Sequence, residues 1–205
     1  PDRTFPSGLI DGQVIFSTSD PWGKIPEGAV ASAPLAEVEK GTINPTIVFA
    51  PGPRQSVDGM ALTRSKLLLV VSDNVRGRAS VYTHGAGGWT AKPIELPDNA
   101  SIDVASTTDR SDDAYLTVTG FLTPTSLYSL DAATDAATGA APKPIKTLPP
   151  KFDASNDVVE QFEATSTDGT KVPYFVVHKK GIALDGTTPT IMTAYGGFQV
   201  SMTPS

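Results

Sequence analysis

Short runs of apolar or alternating residues, each closed by a cluster of turn formers, recur from one end of the chain to the other. This is the pattern of strands. Residues 13–20 form the first run, ending at Pro21-Trp22-Gly23. Residues 29–38 are small and apolar and fit either a strand or a short helix; their place in the repeat calls for a strand. Residues 46–50 give a third strand, cut off by Pro51-Gly52-Pro53. Four more are predicted at 57–63, 66–72, 78–83 and 89–96, with turns at Arg64-Ser65, Asp73 to Gly77, and the glycine-rich stretch from His84 to Gly88.

A similar unit is predicted at 101–106, 114–119, 126–130 and 143–148. Leu67-Leu68-Leu69-Val70-Val71-Ser72-Asp73 and Tyr115-Leu116-Thr117-Val118-Thr119-Gly120 occupy the same place in the two units, about 47 residues apart. Four strands every 40 to 50 residues or so is the spacing of propeller blades. An antiparallel sandwich is the alternative that spacing alone leaves open. On the propeller reading, residues 12 to about 50 make most of one blade and 57–148 make two more. The low-complexity stretch AATDAATGAA at 132–141 is expected to be an exposed loop. The paired prolines in 149–153 stiffen a connection to the last quarter of the chain.

Beyond that connection the pattern changes. Residues 158–165 alternate apolar and polar, as do 171–178 more weakly, and Thr167-Asp168-Gly169-Thr170 lies between them. An Asp-Gly pair between two such runs predicts a hairpin. A second pair, Asp185-Gly186, precedes the apolar run 189–195, which is predicted as a buried strand ending at Gly196-Gly197. Hairpin, turn, buried strand and glycine corner come in the order in which an α/β-hydrolase domain opens. The loop after its third strand supplies a donor to the oxyanion hole. Glycines suit that loop because the backbone must turn sharply and admit a substrate. A plain tight turn with Tyr195 as a core aromatic is the simpler reading of the same spacing.

The line DGTKVPYFVVHKKGIALDG at 168–186, then PTIMTAYGGF at 189–198 and Ser201-Met202-Thr203-Pro204, closely resembles the prolyl oligopeptidase family of serine peptidases. Gly120-Phe121-Leu122-Thr123-Pro124 resembles, more loosely, a family stretch just ahead of the hydrolase domain. The resemblance implies a mainly β chain: part of a seven-bladed-type β-propeller (residues 1–150, its C-terminal blades), continued by the first strands of an α/β-hydrolase catalytic domain (residues 151–205). It implies that Tyr195 donates its hydroxyl to the oxyanion, and that Phe198, with Gly196 and Gly197, lines the pocket for the residue before the scissile bond. The partners implied are a short peptide, cut after proline, and the remainder of the chain's own polypeptide. Met192-Thr193-Ala194 departs from the lead into YGGF that is typical of the family.

The family nucleophile sits in a G-x-S-x-G elbow, with Asp and His later in the chain. No serine here has glycine both two residues before and two after it, and His84 and His178 both precede Tyr195. Without a triad the chain alone is expected to be inactive. Three blades of seven leave open sheet edges, so it is expected to belong to a larger molecule. An esterase or aminopeptidase on the same scaffold, and a non-catalytic propeller binding module, are the alternatives.

Composition narrows the remaining choices. Eighteen Gly and eighteen Pro among 205 residues favour turn-dense β structure. The formal net charge of −6 argues against nucleic acid. With no cysteine, disulfides and thiolate metal sites are excluded, and no apolar run has membrane-spanning length. Asp109, Asp112 and Asp113 lack calcium-loop spacing and read as a solvated turn; no metal site or cofactor is supported. His84 reads as an exposed loop histidine without a carboxylate partner, its glycine neighbours not as a phosphate loop. His178 with Lys179 and Lys180 reads as a charged strand end. Arg76 and Arg78 either line a propeller tunnel or belong to a solvated turn.

Overall fold

The computed structural model describes residues 3–198 and 200–205. Three four-stranded sheets succeed one another, each an antiparallel meander paired in chain order. The first holds β1 (Thr4–Ile10), β2 (Gln13–Thr18), β3 (Val30–Pro34) and β4 (Thr46–Phe49). The second holds β5 (Gln55–Leu62), β6 (Leu67–Asp73), β7 (Arg76–Gly85) and β8 (Gly88–Ile94). The third holds β9 (Ala100–Thr107), β10 (Asp113–Gly120), β11 (Ser126–Asp131) and β12 (Lys143–Thr147). A hairpin of β13 (Asp157–Thr165) and β14 (Lys171–Lys179) completes the strands described.

The sheets stack face to face like blades. β6 shows why: Leu67, Leu68, Leu69, Val70 and Val71 are all buried, although a strand wet on one face would alternate. Leu67 and Leu69 face the first sheet, packing with Ile10, Ile15 and Val30. Leu68 and Val70 face the third, packing with Ile102, Leu116 and Val118. β5 touches both β1 and β9, so the first strand of each sheet lies toward a common side. The last strands lie outward, and β12 is exposed throughout. These observations replace the sandwich alternative with stacked blades.

Polar ties reinforce the stack. Trp89 Nε1 donates to buried Ser32 Oγ, 2.9 Å away, and Ser32 Oγ donates to Gln13 Oε1. Gly77 on β7 allows the second and third sheets to approach closely. A Cβ there would lie 2.9 Å from both Ala100 O and Ile102 N of β9. Both obstacles are backbone, so relief requires the sheets to separate. Gly77→Ala is therefore expected to lower stability by about 1–3 kcal/mol, the usual cost of overpacking, as read from a denaturant midpoint shift. An unchanged midpoint would show that the sheets part freely.

Several expectations need correction. The first blade is a full four-stranded sheet that begins before residue 12, because β1 forms despite Pro6 and Gly8, with a bulge between those two residues. Residues 29–38 divide into β3 and the one-turn helix α1 (Leu35–Glu39). The stretch 132–141 is not simply an exposed loop: it carries α2 (Thr134–Thr138), Ala132 is fully buried and Ala136 packs on the core. Asp131 accepts hydrogen bonds from the amides of Ala133 and Thr134 and so starts that turn. The strand expected at 189–195 does not form; Ile191 is 94% and Met192 88% exposed. A lone extended segment has no ladder to satisfy its amides, and no strand lies beside it among the described residues.

Candidate active site

In a meander, alternate connections fall at opposite ends of the sheet, and the hairpin sits at one end. Gln161 Nε2 donates to Asn74 O at 2.7 Å, and Asn74 lies in the tight β6–β7 turn, where both Asn74 and Val75 have positive φ. Arg54, in the β4–β5 connection, pairs with Glu163 and donates to Asn74 Oδ1 at 3.2 Å. Asn99 Nδ2, before β9, donates to Val159 O at 3.5 Å. Phe121, after β10, packs on Phe175 with ring centroids 5.2 Å apart. The hairpin therefore bridges the connections β4–β5, β6–β7, β8–β9 and β10–β11, all at that end.

The candidate residues lie beyond Gly181 in an irregular segment at this same end. Tyr195 is 52% and Phe198 92% exposed. Tyr195 folds back over its neighbour: a Cβ on Gly197 would lie 3.1 Å from the tyrosine hydroxyl. A glycine there leaves the hydroxyl its place. Phe198 has φ +54°, a left-handed conformation that costs a non-glycine residue about 1–3 kcal/mol. Such strain is typical of functional loops. The amide of Val200 donates to Gly197 O at 3.1 Å, tightening the turn. Farther on, Pro204 is fully buried and its carbonyl accepts from Ser101 Oγ at 2.6 Å. No sequence signal points to Ser101, Asn74, Asn99 or Arg54, whose partners lie 87 to 109 residues away, or 60 for Asn99.

Other residues occupy different places from those expected. Asp112 is not part of a solvated turn. It is buried, accepting from Thr63 Oγ1 at 2.7 Å, Ser65 N at 2.7 Å and Ser65 Oγ at 2.9 Å, with Arg64 at 3.2 Å. Burial alone would push its carboxyl up. The hydrogen bonds from Thr63 and Ser65 and the Arg64 charge outweigh that and hold it below the usual carboxylate range. The tie joins the second blade to the third. His84 does have a carboxylate partner: its Nδ1 lies 2.7 Å from Asp11 Oδ2, joining the first two blades, and its ring packs on Trp89. Arg76 and Arg78 stand on β7, third in its sheet, and close onto Asp98 at 3.5 and 2.8 Å.

His178 is not a free strand end. Its Nδ1 is 2.9 Å from Lys179 O and its Nε2 2.6 Å from Glu160 Oε2. Both partners are acceptors, so only the doubly protonated ring satisfies them. The Glu160 carboxylate first, then the Lys179 carbonyl, raise the His178 pKa above the ordinary imidazole value. A raised folded pKa contributes stability that is complete below about pH 6.5 and is lost as pH rises through the folded pKa. Amide exchange in β13 and β14, corrected for intrinsic pH dependence, should therefore quicken across that interval. His178→Gln should remove the step; a step surviving in that variant would assign it to another group.

Relatives extend over both the blades and the segment beyond them. A model of the prolyl oligopeptidase N-terminal β-propeller domain matches residues 24–141. A peptidase of Sinorhizobium fredii, y4nA, is 39% identical across 97% of this chain, which spans 28% of that protein. The prolyl endopeptidase of Elizabethkingia meningoseptica is 32% identical across 61% of this chain and 17% of its own length. Among solved structures, a post-proline cleaving enzyme from Rickettsia typhi superposes with a TM-score of 0.75 at 29% identity, covering 98% of this chain and 29% of that one. The chain thus spans under a third of each of these relatives. With stacked four-stranded blades in place and the propeller model matching more than half its length, the chain belongs to the prolyl oligopeptidase family.

Proposed function

We propose that residues 1–150 are the closing blades of a propeller and residues 151–205 the opening of the catalytic domain of a serine peptidase, which hydrolyses peptide bonds after proline in short peptides. The observation that carries this reading is the likeness to the Rickettsia typhi post-proline cleaving enzyme, which runs over 98% of the chain and so includes the segment with Tyr195 and Phe198. The hairpin docked across the blade ends supports the boundary near residue 150. On this reading Tyr195 stabilises the tetrahedral oxyanion, and Gly196 and Gly197 let the substrate backbone approach. Phe198 shapes a pocket for proline, its exposed ring offering an apolar wall.

The nucleophile and its histidine and aspartate come from outside residues 1–205, because no G-x-S-x-G elbow is present here. A serine would attack the scissile carbonyl, a histidine would take and return its proton, and an aspartate would orient that histidine. On this reading the blades stand over the site and admit short peptides.

The test is an intact-mass spectrum of the native protein before and after a fluorophosphonate serine probe. A species longer than 205 residues that gains one probe mass and cleaves a blocked proline peptide supports the reading. A probe-labelled protein that cuts only esters or free-amino-terminal dipeptides overturns the proline assignment. A protein longer than 205 residues that takes no probe overturns the peptidase.

A further inference from the structure

We infer that Ser101 is a positioning residue: its hydroxyl, on the third blade, pins the segment bearing Tyr195 and Phe198 through the carbonyl of Pro204. The inference rests on the reading of Tyr195 as the oxyanion donor.

Between Ile191 and Ser205 the described residues are largely exposed, and the segment makes few contacts until Pro204, which is fully buried. Burial of a proline suits such an anchor. Proline has no N–H, so only its carbonyl needs a partner when it leaves water. Ser101 Oγ supplies that partner at 2.6 Å, a short O–H···O bond. Among the described residues it is the one hydrogen bond from the segment after Gly181 to the blades.

Ser101 is itself well held. It is the second residue of β9 and pairs with Thr119 of β10. The strand lies against β7 so closely that Gly77 tolerates no side chain beside Ala100 and Ile102. The fixed point is therefore a rigid strand of the propeller, while the held point lies nine residues beyond Tyr195 and six beyond Phe198. A blade strand thus reaches the loop that completes the reaction centre. Misplacement of a catalytic donor by about 1 Å can cost on the order of a hundredfold in rate, so a modest loosening of this pin is enough to register.

The experiment uses the full-length polypeptide, with hydrogen exchange of the free protein and steady-state kinetics on a blocked proline peptide. In Ser101→Ala, the amide of Val200, which donates to Gly197 O, should exchange roughly fivefold faster, the loss expected for one net hydrogen bond. Exchange in β9, β10 and the hairpin should stay unchanged. The same variant should lose roughly tenfold in kcat with little change in KM, and Ser101→Thr, which keeps a hydroxyl, should restore both. Unchanged exchange at Val200 overturns the pin. Faster exchange with unaltered kcat, in a protein where Tyr195→Phe does lower kcat, overturns its positioning role. If Tyr195→Phe leaves kcat intact while Ser101→Ala still loosens the segment, the oxyanion reading falls and the anchor stands.

Discussion

Asp112→Ala is expected to destabilise the chain by about 3 kcal/mol, since hydrogen bonds to a charged group are worth about 1.5–3 kcal/mol each and this carboxylate accepts from Thr63, from both the amide and hydroxyl of Ser65, and from Arg64. The exposed Arg64 adds little, being mostly in water. The loss comes from the Ser65 amide, which keeps no protein acceptor once the carboxylate is gone, and from the buried Thr63 hydroxyl, which is left with only the Lys66 carbonyl at 3.2 Å. Acid should act in the same direction. A folded pKa held below the unfolded value gives stability that is present above about pH 4 and is lost as pH falls through the folded pKa. Urea midpoints of the native protein and Asp112→Ala, measured from neutral pH down through the carboxylate range, should therefore converge at the acid end. Parallel curves would show that another carboxylate carries the acid sensitivity.

The second large effect concerns rate rather than stability. In the polypeptide that unites this segment with its nucleophile, Tyr195→Phe is expected to lower kcat roughly 10²–10³-fold, the cost of one oxyanion donor, and to leave KM within a few-fold. Phenylalanine keeps the ring over Gly197 and removes only the hydroxyl, which the structure sets within contact of that glycine. On the proposed oxyanion role, the interaction strengthens only as charge develops on the carbonyl oxygen, so ground-state binding is spared. Single-turnover and steady-state kinetics on a blocked proline peptide decide it. An unaltered kcat removes Tyr195 from the chemistry.

The blades are legible in the sequence because each apolar run between turn formers has neighbours to pair with. Leu67 to Val71 is the clearest instance, apolar on both faces as a strand between two sheets must be. β1 is harder to see: Pro6, Ser7 and Gly8 break its alternation, and its pairing with β2 is set by the tight turn at Asp11 and Gly12. α2 leaves a signal that composition obscures, Asp131 standing where its carboxylate can accept the first amides of the turn. Asp112 resembles its two solvent-facing neighbours because its partners are about one blade repeat away, at Thr63 and Ser65. His84 and Asp11 are likewise joined across blades, 73 residues apart. The apolar run at 189–195 has the composition of a strand, yet a strand is a property of its neighbours as much as of itself. For the candidate site, sequence supplies residue types through family resemblance; it holds no trace of which blade residue meets Pro204.

β6 has a consequence for how the chain melts. Its odd residues seal one interface and its even residues the other, so neither outer sheet can peel away without wetting half of this strand. Nearest-neighbour stacking of that kind couples modules through shared walls. The central sheet is then a keystone: a load applied to either flank is felt on both, and the three blades should lose their order together or scarcely at all.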